Sequence, residues 1–218
     1  MTLNDNLRSA YIQQDVDEYI YALLPKGDAV VCEIEAYAAE HDVPIVGPAV
    51  ARLLALLVQI SGAKRIFEMG SAIGYSTLWL AGAVGEDGKV FYTDGSSANA
   101  DRARGYLERA GLARRVEIQV GDAATVLKQT PGDFDFIFND IDKHQYPEAF
   151  RLAVTRLRRG GLLVTDNTLW SGKAARLAAA DDHSTRGVQE LNRLAFSSPE
   201  LYSVLIPLRD GVTVCRKL

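Results

Sequence analysis

Cysteine is scarce in this 218-residue chain, which carries only Cys32 and Cys215. The two lie far apart and in no C-x-x-C pattern. That argues against a disulfide framework or a zinc site and fits a reducing cytoplasm. Long apolar runs are missing as well. The longest, "LLALLVQI" at Leu53 to Ile60, falls far short of the ~18 residues of a membrane span and reads as a buried helix face. The N-terminus, "MTLNDNLRSA", has no charged segment followed by an apolar one, so no secretory signal is read. Nor is there a basic excess: 24 Lys and Arg against 28 Asp and Glu give a formal charge of −4. A general affinity for nucleic-acid backbone is therefore not expected. Arg102, Arg104, Arg109, Arg114 and Arg115 do cluster. They read first as charges on a solvated helix face and the loop after it.

What is present is an ordinary globular composition, 48% hydrophobic, enough for a full core. Residues 1–62 read as helical. Leu7, Tyr11, Ile12, Val16, Tyr19, Ile20 and Leu23 recur at three- and four-residue spacing, and Pro25 and Gly27 end that segment. Val30, Val31, Ile34, Tyr37 and Ala38 repeat the pattern, and a third helix runs from about Pro48 to Ile60. The pattern then changes to short apolar runs at 65–70, 89–94, 116–122, 134–140 and 161–167. Helical patterns lie near 75–83, 99–110, 123–128 and 146–157. Such alternation predicts right-handed βαβ units and a parallel sheet covered on both faces. A last helix over about 185–196 leads to "LYSVLIPL" and "GVTVCRKL". The Arg209-Asp210-Gly211 turn between them predicts a terminal antiparallel hairpin. The simplest organisation is one α/β domain: a helical N-terminal extension over 1–62, then the sheet-bearing part over 63–218.

Ligands of an open parallel sheet bind beyond the carboxyl ends of its strands. Glu68, Gly70, Ser71, Gly74, Tyr75 and Ser76 follow the first strand, and Asp94 ends the second. Gly121, Asp122 and Ala123 follow the third. Asp140 and Lys143 follow the fourth, and Asp166 and Asn167 the fifth. The first loop lacks the G-x-G-x-x-G fingerprint, because Ala72 stands where the middle glycine belongs. That weakens the case for a pyrophosphate. Asp94, an acid some 20 residues on, can accept from ribose hydroxyls, although it could equally serve as a turn or helix cap. Together they suggest a nucleoside, not necessarily a dinucleotide; S-adenosylmethionine, which carries no phosphate, meets that description.

Four stretches, "RIFEMGSAIGYSTLWLA", "DFDFIFNDIDKHQYPEAF", "GGLLVTDNTLWSGKA" and "IPLRDGVTVCRKL", resemble the cation-dependent O-methyltransferases in order and spacing. That group includes catechol and caffeoyl-CoA O-methyltransferases and small bacterial relatives. The similarity runs from about Pro44 to the C-terminus. It implies a Rossmann-like, seven-stranded, mostly parallel sheet with helices on both faces and one antiparallel strand. It implies S-adenosylmethionine as cofactor, with Val46, Glu68, Gly70, Ser71, Tyr75 and Ser76 lining its methionine end. Asp94 would hold the ribose and Ala123 the adenine. Asp140, Asp166 and Asn167 would bind a divalent cation, magnesium by analogy, with Asp140 also beside the reacting groups and Lys143 as the base. A homodimer is implied too. Ala72 and Ser96 depart from residues frequent in the family, and Asn139 stands where an apolar residue is usual.

The expected reaction is methyl transfer to a hydroxyl of a catechol-like vicinal diol on a small aromatic molecule. A hard cation held by oxygens can chelate two such hydroxyls and make one more acidic. A tRNA 5-hydroxyuridine methyltransferase is the first alternative, with residues 102–115 as the place for an RNA-facing patch. A non-catalytic cofactor-binding protein is the second. Trp170, just after the cation pair, is read either as core or as a substrate-facing ring. Asp142 reads as a helix cap or a partner of the site, and His144 as surface loop. His41 and His183 receive no role.

Overall fold

The computed structural model describes residues 12–218; the expected helical positions Leu7 and Tyr11 lie outside them. Three helices come first: α1 (Gln14–Ala22), α2 (Ala29–Glu40) and α3 (Gly47–Ser61). Asp28 caps α2 by accepting from the Val31 N–H at 2.9 Å, and Gly62 ends α3 in the left-handed conformation that glycine tolerates. The alternating part follows as β1 (Arg65–Met69), α4 (Tyr75–Ala83), β2 (Lys89–Asp94), α5 (Ser97–Arg109), β3 (Val116–Val120) and α6 (Ala123–Gln129). It continues with β4 (Phe134–Asn139), α7 (Tyr146–Arg156), β5 (Leu157–Thr165), α8 (His183–Ser197), β6 (Leu201–Ile206) and β7 (Val212–Lys217).

The seven strands form one sheet in the order β3-β2-β1-β4-β5-β7-β6. All pairings from β3 through β5 are parallel, while β7 runs antiparallel to both β5 and β6. The Rossmann-like architecture with its C-terminal hairpin is thus as the sequence implied. The hairpin is inserted so that β7, not β6, lies beside β5. β5 begins four residues earlier than the pattern suggested. The pairing jumps from Phe134↔Leu157 to Phe136↔Leu162, so Arg158 to Gly161 bulge out of the ladder.

The central strands carry apolar runs on both sides, such as Ile66-Phe67 and Phe136-Ile137-Phe138, because both faces of the sheet are covered there. Ile66, Phe136, Phe138, Val164 and Val214 point to a core shared with α2, α3 and α4, where Ile34, Val50 and Leu54 have no exposed surface. Phe67, Met69, Ile137, Leu163 and Cys215 point the other way, against α6, α7 and α8. α2 and α3 therefore share a packed core with the sheet. Truncating Leu54 to alanine would cost about 2–5 kcal/mol.

Strand order reverses between β1 and β4, which opens the crevice where α/β sheets take ligands. The two strand ends meet at Gly70. Its φ is +81°, and a Cβ there would lie 2.5 Å from the Asp140 carbonyl oxygen. Glycine is required both by the left-handed backbone and by this approach.

Candidate active site

One half of the rim is built by the ends of β1 and β2. The Gly70 and Ser71 N–H groups both donate to the Thr93 carbonyl, at 3.2 and 2.9 Å. Ala72 adopts φ +44°, and its N–H donates to Asp94 Oδ2 at 3.0 Å. The other Asp94 oxygen accepts from the Ser96 N–H at 2.8 Å and from Asn99 Nδ2 at 3.1 Å. Asp94 thus holds its own loops in shape, the capping role considered for it, and remains half-buried at the rim. Gly74 lets α4 start close to α5, since a Cβ there would meet Ala103 Cβ at 2.7 Å. The first N–H groups of α4, at Tyr75, Ser76 and Thr77, have no helical acceptor and carry the positive end of the helix dipole.

Glu68 sits beneath that turn with no exposed surface. Burial pushes its carboxyl above the ordinary value, against the Ser76, Thr77 and Ser71 hydroxyls around it. Thr77 Oγ1 donates to Oε2, whereas Oε1 has no partner. Tyr75 turns its hydroxyl away from the rim and donates to Glu35 Oε1 of α2 at 2.6 Å; its backbone stays at the helix start. Val46 is buried immediately before α3. Ala123 opens α6, which Asp122 caps by accepting from the Thr125 N–H at 2.8 Å.

The other half is built by the ends of β4 and β5. Asp140 continues β4, its N–H donating to the Met69 carbonyl at 2.9 Å, and Asp166 continues β5, donating to the Asn139 carbonyl at 3.2 Å. Lys143 opens a short 3-10 turn after β4. Its Nζ donates to Asp140 Oδ1 at 2.8 Å and to the Ile141 carbonyl at 3.1 Å. Gly187 of α8 makes room for this turn, because a Cβ there would meet the Lys143 carbonyl oxygen at 2.1 Å.

Asp166 has no exposed surface, and Arg209 Nη1 donates to its Oδ2 at 3.0 Å. Oδ1 is buried without a partner. Burial drives the Asp166 pKa up to about 7; Arg209 opposes the shift and Asp140 adds to it. Asn167 lies beside it at φ +56°, its Nδ2 donating to Asp210 Oδ2 at 3.1 Å. Among the described residues no group of three or more His, Cys, Asp or Glu side chains is arranged to hold a metal. The candidate set is instead two carboxylates and one amide, all hard oxygen donors of the kind magnesium accepts.

Trp170 is half-buried and packs against the α7 and α8 side of the core. The Lys143 and Lys173 ammonium groups stand 5.7 and 5.9 Å from its ring centroid, and its Nε1 has no partner. Asp142 is exposed and caps no helix with its side chain, and His144 is exposed on the same loop. Asn139 is buried with neither side-chain polar atom bonded; nothing in the structure explains its place there. His41 stacks on Tyr37, away from the rim.

Two residues of this half went unread in the sequence. Arg209 and Asp210 were assigned only to a turn, yet they contact Asp166 and Asn167 directly. The available signal was the pair of opposite charges placed just before the turn glycine. The clustered arginines are mostly engaged: Arg102 covers the Tyr37 ring, Arg104 pairs with Asp101, Arg109 with Glu33, and Arg115 binds the Ala81 carbonyl.

Comparisons with known proteins agree with this picture. An O-methyltransferase family model matches residues 30–218, beginning inside α2 and so earlier than the motifs at Pro44 suggested. Tricin synthase 2 of Oryza sativa subsp. japonica is 31% identical over 99% of this chain and 79% of its own. A catechol O-methyltransferase of Niastella koreensis is 36% identical over 80% of this chain and 79% of its own. The crystal structure of an O-methyltransferase from Bacillus cereus in complex with SAH superposes with a TM-score of 0.85. It shares 32% identity and covers 94% of this chain and 97% of that one. A family model over most of the chain and relatives above 30% identity show that the chain belongs to the O-methyltransferase family.

Proposed function

We propose that this chain transfers a methyl group from S-adenosylmethionine to one hydroxyl of a catechol-like vicinal diol, with a divalent cation bound at Asp140, Asp166 and Asn167. The observation that carries the reading is Asp166 Oδ1, a buried carboxylate oxygen without a partner, at the strand end next to Asp140. Arg209 serves only the other oxygen; a buried polar oxygen without a partner is costly, and a cation there would satisfy it. Glu68 Oε1, also buried and unpartnered, supports the cofactor in the same way, as an acceptor for the ammonium of its methionine end. The free N–H groups of α4 suit the carboxylate of that end, and the SAH carried by the Bacillus relative is the demethylated form of the cofactor.

A bound cation would supply a Lewis acid that makes a chelated hydroxyl more acidic at neutral pH. The remaining work falls to the protein. Lys143 Nζ, an ammonium held by Asp140 in this state, would have to give up a proton first and, as the neutral amine, would then take the hydroxyl proton. The acceptor oxygen then forms its bond to the methyl carbon as the carbon–sulfur bond breaks. Glu68 and the α4 turn would hold the methionine end of the cofactor and so orient its methyl group toward the acceptor. The Trp170 ring, flanked by two ammonium groups, offers a face to an aromatic acceptor. No described helix is long and apolar enough to cross a membrane. Exposed Tyr19 on α1, Leu23 just after it, and Leu56 and Ile60 on α3 are the candidate surface for a homodimer. The engaged arginines count against the tRNA reading.

The test is a turnover screen with S-adenosylmethionine and magnesium over catechols, hydroxycinnamoyl thioesters and tRNA bearing 5-hydroxyuridine. Methylation of a vicinal diol that stops on chelation and returns with magnesium is expected. Activity that survives thorough chelation overturns the cation role. Turnover of tRNA alone overturns the acceptor class, and cofactor binding with no turnover favours the non-catalytic reading.

A further inference from the structure

The turn between β6 and β7 reaches the candidate cation site with two consecutive side chains, and they meet two consecutive residues of the loop after β5. Arg209 takes Asp166 Oδ2, and Asp210 Oδ2 accepts from Asn167 Nδ2 at 3.1 Å. The second Asp210 oxygen accepts from the Ser171 N–H at 2.6 Å. The two segments are also joined through their backbones. The Thr168 N–H donates to the Gly211 carbonyl and the Leu169 N–H to the Asp210 carbonyl, both at 2.9 Å. Gly211 allows the approach: its φ is +83°, and a Cβ would lie 2.6 Å from Leu169 Cγ and 2.8 Å from the Leu169 nitrogen.

A primary amide presents a donor on one side and an acceptor on the other, and its last torsion is soft. Left alone, Asn167 could offer its rim either an oxygen or an NH2 group. A carboxylate has no hydrogen to give, so Asp210 accepts only the NH2 edge and turns Asn167 Oδ1 the opposite way. We propose that Asp210 is the positioning residue of the cation site: through Asn167 it determines that an oxygen, and not an NH2 group, faces the cation. This rests on the reading of Asp140, Asp166 and Asn167 as ligands. Partners of this kind, one shell out from a metal, typically change affinity by 10–100-fold.

The test is an isosteric change, Asp210→Asn, read by direct titration of Mn2+ using electron paramagnetic resonance, with no acceptor present. The new side chain has one oxygen. The Ser171 N–H is fixed in the backbone and keeps that oxygen, so an NH2 group faces Asn167, whose amide must turn over. Mn2+ affinity should fall about 10–100-fold, while SAH affinity stays within twofold of the parent chain. The double variant Asp210→Asn/Asn167→Asp reverses the hydrogen bond and returns an oxygen to the cation. It should recover affinity to within a few-fold, a rescue that loss of packing alone would not give. Unchanged Mn2+ affinity in Asp210→Asn overturns the proposal, as does a folded double variant that still binds weakly. The double variant decides the matter if the single one does not fold. A parent chain that binds no Mn2+, or binds it equally well as Asp140→Ala, overturns the cation reading and this inference with it.

Discussion

The two halves of the rim are built in opposite ways. At the ends of β1 and β2 the loop supports itself: Asp94 accepts from Ala72, Ser96 and Asn99, and Thr93 holds Gly70 and Ser71. At the ends of β4 and β5 the support is electrostatic and incomplete. Lys143 and Arg209 each hold one carboxylate, and Asp166 Oδ1 is left buried without a partner. Left-handed backbone at non-glycine residues is concentrated in this second half, at Asn167, Trp170, Ser171 and Arg209, with φ between +49° and +56°. Each such residue costs on the order of 1–2 kcal/mol. The first half has one such residue, Ala72, and its loops are tied by their own hydrogen bonds, although Glu68 Oε1 beneath them is also buried without a partner. The second retains strain and a buried carboxyl oxygen without a partner, which a ligand can relieve, a pattern common at sites of chemistry.

The largest effect should come from breaking the second half. Asp166→Ala is expected to lower turnover by more than ~100-fold, beyond the range of partners one shell removed. SAH binding, measured by calorimetry, should be nearly unchanged. Equal losses of turnover and SAH affinity would erase the distinction between the halves.

The complementary change is Asp94→Ala. Two hydrogen bonds from ribose hydroxyls to a carboxylate are worth roughly 3 kcal/mol or more together, at ~1.5 or more each. Cofactor affinity should fall about 30-fold or more, with Mn2+ affinity held. The Ala72 N–H also loses its acceptor, so a drop of a few degrees in Tm is expected by thermal melting. A variant with intact cofactor affinity would leave Asp94 as a loop support only.

The contrast also explains what could be read in the sequence. Periodicity gave α4 and β2 to the residue, since Tyr75–Ala83 and Lys89–Asp94 are short, apolar and bounded by glycine or polar residues. The start of β5 was missed because Arg158 to Gly161 bulge out, and two arginines and two glycines carry no strand signal. The first half of the rim was legible because its glycines and Asp94 are near in sequence. The second half was legible only in part. Arg209 lies 43 residues from Asp166, and no local spacing joins them. Their meeting depends on β7 being placed beside β5, so "RDG" read as a turn when it is also part of the site. Tyr75 shows the converse: the motif placed it at the rim, but the hydroxyl is spent on Glu35.

The smallest expected effect concerns pH and separates the halves by charge. In the folded, ligand-free chain Asp166 holds its proton up to about 7, against an ordinary value of 3.8. Glu68 is shifted in the same direction by burial. The folded state therefore binds more protons than the unfolded one across this window. The stabilising contribution is complete below about pH 4 and is lost as pH rises toward and through 7. Tm should fall between pH 5.5 and 8, by an amount corresponding to roughly 1–3 kcal/mol. Asp166→Asn, neutral throughout, should flatten most of that slope. A cation must displace the proton to bind Asp166, so the Tm gain from saturating magnesium should be larger at pH 8 than at pH 6. A gain independent of pH, or larger at pH 6, would mean that Asp166 is not the buried acid that the cation meets.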